Sequence, residues 1–136
     1  MQQYPPELTD GSLAQLASEL TGNGQGGAIT GSAVLLPYSA TVVTDARLGK
    51  VFDLVITGNC ILANPANAGD GKKIQWRISA SGADRQLSLG DKFVLPSTAT
   101  TTFPVTIPSG KLIIFLAEYY QPADKWLIES YIPAYL

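Results

Sequence analysis

The sequence predicts an all-β fold, a β-sandwich or jelly roll of about eight to ten short strands, over residues 32–136. An extended N-terminal arm, one short helix and a glycine-rich hinge precede it over residues 1–31. Three observations predict this. From residue 32 onward apolar and polar residues alternate with a period of two, the spacing of a half-buried strand. Glycine (13) and proline (9) interrupt that alternation at short intervals, too often for a helical bundle. An apolar share of 46% against 15% charged residues gives a 136-residue chain enough hydrophobic surface for a core without disulfides or a structural metal.

Residues 1–11 carry Pro5-Pro6 and few large apolar groups, and read as an extended arm. Ser12 and Gln15 form a capping box, Leu13, Leu16 and Leu20 recur at helical spacing, and Gly22 supplies a stop. A helix of about two turns is marginal alone in water. Its leucine stripe is therefore expected to dock on the sheet or on a neighbouring chain. Gly22, Gly24 and Gly27 spell G-x-G-x-x-G, but a helix precedes them and a strand-like segment, Ala33–Tyr38, follows. Dinucleotide sites require the reverse order, so these glycines read as a hinge.

Within the β region, Phe52, Leu54 and Ile56 alternate with Val51, Asp53 and Val55, and Ile74, Trp76 and Ile78 alternate with Lys73, Gln75 and Arg77. The first member of each set is expected in the core and the second outside it. Further strands are predicted over Thr41–Thr44, Cys60–Ala63, Gln86–Leu89, Lys92–Leu95, Thr102–Ile107, Lys111–Tyr120 and Lys125–Ile132. Turn residues at Ser81–Asp84, Pro108–Gly110 and Gln121–Asp124 separate several of them. Leu112–Tyr120 is apolar or aromatic on both faces, which suits a central strand or one hidden in a subunit contact. No internal repeat stands out.

The chemistry that the residues carry is sparse. With no histidine and a single cysteine, Cys60, the chain lacks the commonest base for a nucleophilic thiol and the commonest nitrogen ligand for a metal. Cys60 reads as a buried, inert thiol. Gly71-Lys72-Lys73 lacks both the earlier glycine and the following Ser or Thr of a phosphate loop, and reads as a turn with solvated lysines. A formal charge of -2 with nine scattered Lys and Arg gives no field for nucleic acid. The N-terminus has neither a basic nor an apolar leader segment, and no apolar run has membrane-spanning length. Asp45, Asp53, Asp70, Asp84 and Asp91 leave a carboxylate-pair glycosidase open, although most lie beside turns or on polar faces. The expectation from residue chemistry is no enzyme, no cofactor and no metal.

Three stretches, FDLVITGNCILANPANAGDGKKIQWRI at 52–78, RQLSLGDKF at 85–93 and KWLIESYI at 125–132, resemble a β-domain that recurs in virion proteins of tailed phages. In that family a Leu-Thr-Gly-Asn strand end is followed by Leu-Ala-Asn-Pro, a glycine-bearing turn, an alternating strand, a Gly-x-Lys-Phe turn and a closing Lys-Trp strand. The resemblance covers about residues 47–132, and the chain departs from it at Cys60, where a basic residue is often found. The resemblance implies a part of a fibre, collar or capsid decoration, commonly trimeric, with no catalytic residues.

With little chain outside one β-domain, the resemblance suits a capsid decoration (cement) protein that forms a homotrimer on the major capsid protein. The expected location is the virion surface, after synthesis in the host cytoplasm. Gln2, Tyr4, Pro5, Pro6, Leu13, Leu16 and Leu20 are the expected capsid-contact arm, and Tyr119, Tyr120, Tyr131 and Tyr135 the expected oligomer interface, with Trp126 in the domain's own core. The alternative is a head- or tail-fibre module that binds host glycan, for which Tyr38, Asn64 and Asn67 are a loosely suitable set.

Overall fold

Alternation decides which side of a strand is buried, and in this chain the strands change sheet at almost every turn. The computed structural model describes residues 33–135, with side chains described through Pro133. The arm, the short helix and the glycine hinge, with Gln2, Tyr4, Pro5, Pro6, Leu13, Leu16 and Leu20, lie outside the described residues, as does the side chain of Tyr135. The strands are β1 (Val34–Leu36), β2 (Thr41–Val42), β3 (Val51–Ile56), β4 (Cys60–Leu62), β5 (Lys73–Ala80), β6 (Arg85–Leu89), β7 (Phe93–Val94), β8 (Val105–Ile107), β9 (Leu112–Tyr120) and β10 (Lys125–Tyr135). A six-stranded sheet runs β1-β3-β5-β9-β10-β7, and a four-stranded sheet runs β2-β4-β6-β8.

From β1 to β8 the odd strands enter the larger sheet and the even strands the smaller. β1, β3 and β5 pair in parallel, and so do β2, β4 and β6. The chain therefore winds three times between the two sheets before β8, β9 and β10 close it with antiparallel ladders. The expected all-β, two-sheet architecture is present. Jelly-roll strands pair antiparallel in Greek keys, whereas five of the eight ladders here are parallel. A period of two specifies a face and is silent about the partner's direction, so the sequence pattern could not distinguish them.

Register turns the alternation into columns of stacked side chains. Val34, Phe52, Trp76 and Phe115 lie across β1, β3, β5 and β9, and Leu36, Leu54, Ile78 and Ile113 form the next column. In the facing sheet Cys60 aligns with Leu87 and Val105, and Val42 with Leu62 and Leu89. These columns meet in one apolar core. At its centre Trp76 stacks on Phe115 (ring centroids 5.0 Å apart, 21° between planes) and meets Phe93 and Trp126 edge-on. Trp76 and Trp126 are both buried, as their sequence positions predict. Large aromatic rings in such contacts supply both buried area and specific geometry.

Strand ends follow local chemistry. β8 starts only at Val105, after Phe103-Pro104; proline has no N–H to give a ladder. The 3-10 turn Gln121–Ala123 between β9 and β10 ends on Asp124 in the left-handed region (φ 54°). A register shift between Ile128 and Ser130 interrupts β10.

Candidate functional site

The residues that carry the resemblance meet at the corners of the winding. Gly58 sits so close to Tyr38 that a Cβ there would lie 2.5 Å from the phenol oxygen, and that hydroxyl donates to the carbonyl of Asn59 (3.0 Å). Asn59 Oδ1 accepts from the backbone N–H of Gln86 at the start of β6 (2.9 Å). One winding thus holds the next through a side chain. Asn64 repeats the device on the other side of β4: its Oδ1 accepts from Lys92 N (2.9 Å) and its Nδ2 donates to Asp91 Oδ1 (2.8 Å). Gly90 lies against this asparagine, and any Cβ would collide with the Asn64 side chain and its backbone nitrogen.

The third motif closes the set. The carbonyl of Lys92 accepts from Trp126 N (2.8 Å), which brings β7 beside β10 and aligns Phe93 with Trp126. Lys92 Nζ reaches Asp124 at 2.6 Å, and the same carboxylate accepts from Tyr119 Oη at 2.7 Å. The lysine beside it, first, and then the tyrosine hydroxyl hold the Asp124 carboxyl below its ordinary range. Asn59, Asn64, Gly90, Lys92 and Trp126 of these motifs are therefore joints of the scaffold.

The five aspartates weighed for carboxylate chemistry are engaged in the same way. Asp45 accepts from the side chain and backbone N–H of Arg47 and from Asn67, Asp53 from Arg77, Asp70 from Gln121 N, Asp84 from Ser109 N, and Asp91 from Asn64. The Arg47 side chain above all lowers the Asp45 carboxyl far below the usual carboxylate range. One carboxyl pair outside that set is close: Glu118 on β9 and Glu129 on β10, with Lys73 Nζ 3.9 Å and 3.5 Å from them. A hydrogen bond with Glu129 raises the Glu118 carboxyl. Cys60 is buried, burial raises its thiol, and its Sγ approaches the carbonyl of Ser39 at 3.5 Å. No group of three or more His, Cys, Asp and Glu able to hold a metal occurs among the described residues.

The tyrosines expected at an interface divide between the two sides of the larger sheet. Tyr119 packs on Trp126 (5.3 Å between centroids), whereas Tyr120, one residue on, is exposed. Tyr131 packs edge-on against Phe103 at 5.7 Å. The register shift before Ser130 explains its direction: even positions Trp126 and Ile128 are buried before the shift, and Tyr131 aligns with buried Phe115 after it. For the possible glycan set, the Tyr38 hydroxyl, the Asn64 amide and the Asn67 amide are each bonded within the chain.

On the outward side of the larger sheet the side chains also align in rows. Leu35, Asp53, Arg77, Ile114 and Ile132 lie in one row across β1, β3, β5, β9 and β10, and Val55, Ser79 and Leu112 in the next. Arg77 holds Asp53 with a two-pronged contact, Nε to Oδ1 at 2.6 Å and Nη2 to Oδ2 at 2.9 Å. No family model, curated protein or solved structure gives a significant match to the chain.

Proposed function

We propose that this protein is a structural component of a phage virion, a capsid decoration protein that acts as a homotrimer on the major capsid protein. The observation that carries the reading is where the resembling residues fall. Gly58, Asn59, Asn64, Gly90, Lys92 and Trp126 bind one winding of the chain to the next, so the shared pattern is that of a scaffold. Residues that join one winding to the next suit a building block. The Tyr38 hydroxyl and the Asn64 and Asn67 amides each bond within the chain, which favours decoration over a fibre tip.

The test is binding of the purified protein to capsid shells that lack it. Saturable binding at a fixed ratio to the major capsid protein is expected. Failure to bind shells, together with retention on host surface glycan, would replace this reading by the fibre module.

A further inference from the structure

The extra residue at the β10 register shift is an acid, and it lies beside a second one. Ile128 aligns with Ala117 and Ser130 with Leu116, so Glu129 has no partner of its own on β9. A residue inserted in this way leaves the ladder, and its side chain is re-aimed. Here it comes to Glu118, which stands opposite Leu127 on one side and Lys73 on the other. Lys73 Nζ is 3.9 Å from Glu118 Oε1 and 3.5 Å from Glu129 Oε1, so a single ammonium serves two carboxyls. The surrounding groups leave that imbalance in place. Asp70, before β5, adds to the negative field at Glu118. Lys125 stands opposite Tyr120 and acts on Asp124, and Arg77, farther along the same face, is held by Asp53. On the other side of Glu129 the segment from Leu95 to Thr101 carries no charged residue. The Tyr131 hydroxyl, which burial holds above its ordinary value, stays neutral across the carboxyl range.

We propose that Glu118 and Glu129 form an acid-responsive joint between β9 and β10. With one proton between them the two carboxyls hydrogen-bond across the strands and hold the bulge closed. With both ionised they repel each other, and one lysine is divided between them. The place of the pair gives the joint its reach, because the same register shift sets Tyr131 against Phe103. The hydrogen bond to Glu129 comes first in raising the Glu118 carboxyl, ahead of burial, and Lys73 opposes the rise. A folded carboxyl that lies above its ordinary 4.5 contributes stability that is complete below that value and is lost as pH rises through the folded value. Acid therefore tightens this joint. The effect is local and modest, since the two side chains are 36% and 35% exposed and salt screens them.

The experiment follows the full chain, Glu118→Gln and Glu129→Gln from about pH 3 to about pH 8. Carbon-13 NMR reports the titration of the glutamate carboxyls, and amide exchange from Ser130 to Ile132, normalised to the intrinsic rate, reports opening of the bulge. Glu118 is expected to titrate above the ordinary glutamate value. Glu129→Gln removes the second charge and leaves Lys73 to Glu118 alone, so it should bring that titration down. Parental exchange at the bulge should be about two- to five-fold faster near pH 7.5 than near pH 5, the size expected of an exposed pair. In Glu118→Gln a side-chain amide can donate to Glu129 at every pH, and the difference should vanish. The carboxyl titration needs the parent chain only, so a variant that fails to fold leaves the test intact. Glu118 titrating at or below the ordinary value would overturn the inference, as would a pH dependence of exchange that persists in folded Glu118→Gln.

Discussion

The indole Nε1 of Trp76 donates a hydrogen bond to Thr44 Oγ1 at 3.0 Å in the buried core. Thr44 is the buried polar residue among the described residues, and Trp76 is one of the two buried tryptophans; each satisfies the other. The contact ties β5 to the segment after β2, so one bond fixes the large sheet's central aromatic to the path of the first winding. Trp76→Phe should cost about 1–3 kcal/mol beyond the lost ring volume, because the Thr44 hydroxyl is left without its donor. Adding Thr44→Val should recover part of that loss, with a coupling of about 0.5–3 kcal/mol in a denaturant double-mutant cycle. Additive effects would mean that the bond contributes nothing to stability.

Gly90 is required by space. A methyl group there would press on both the side chain and the backbone nitrogen of Asn64, and the backbone cannot rotate away. Gly90→Ala should therefore destabilise by about 1–3 kcal/mol, the usual cost of overpacking. The amide of Lys92, which bonds to Asn64, should exchange faster with solvent than in the parent. Unchanged exchange at Lys92 would show that this corner tolerates the methyl.

Asp45 should give the chain an acid-sensitive turn. Its folded carboxyl is lowered by the Arg47 side chain, then by the Arg47 backbone N–H. Its stabilisation is thus present above the unfolded value of about 3.9 and lost as pH falls through the lower folded value. Asp45→Asn should melt slightly below the parent at pH 7, by a small margin because the pair is exposed and screened. The difference should shrink as pH falls below about 4. An equal difference at pH 7 and pH 2 would assign the effect to something other than the charge.

Cys60 is expected to behave as a core atom. It lies in the column with Leu87 and Val105, and burial raises its thiol, so native protein should resist alkylation and react once unfolded. Cys60→Ala should fold with a modest loss of stability. Rapid modification of the native thiol would contradict its place in the core.

The sequence makes faces legible and leaves partners hidden. Phe52, Leu54 and Ile56, and Ile74, Trp76 and Ile78, are buried as their alternation predicts, because a period of two depends only on neighbours along the chain. Parallel pairing of β3 with β5 joins residues more than twenty positions apart through a strand in the other sheet, and nothing in either strand encodes it. The windings also escape a search for repeats, since Val34, Phe52 and Trp76 align at unequal spacings and share only size and polarity. Asn59 and Asn64 were visible as motif letters, but their roles needed the partners Gln86 and Lys92 from later windings. Tyr131 turns inward through a register shift for which Glu129-Ser130 carries no distinctive signal. Glu118 and Glu129 become neighbours only when β9 and β10 pair.

Electron cryo-microscopy of the virion that contains this protein tests the central claim most directly. The decoration reading predicts copies of the two-sheet domain on the outside of the capsid, grouped around three-fold positions. Density for the domain confined to a tail or head fibre, or its absence from the particle, would contradict it.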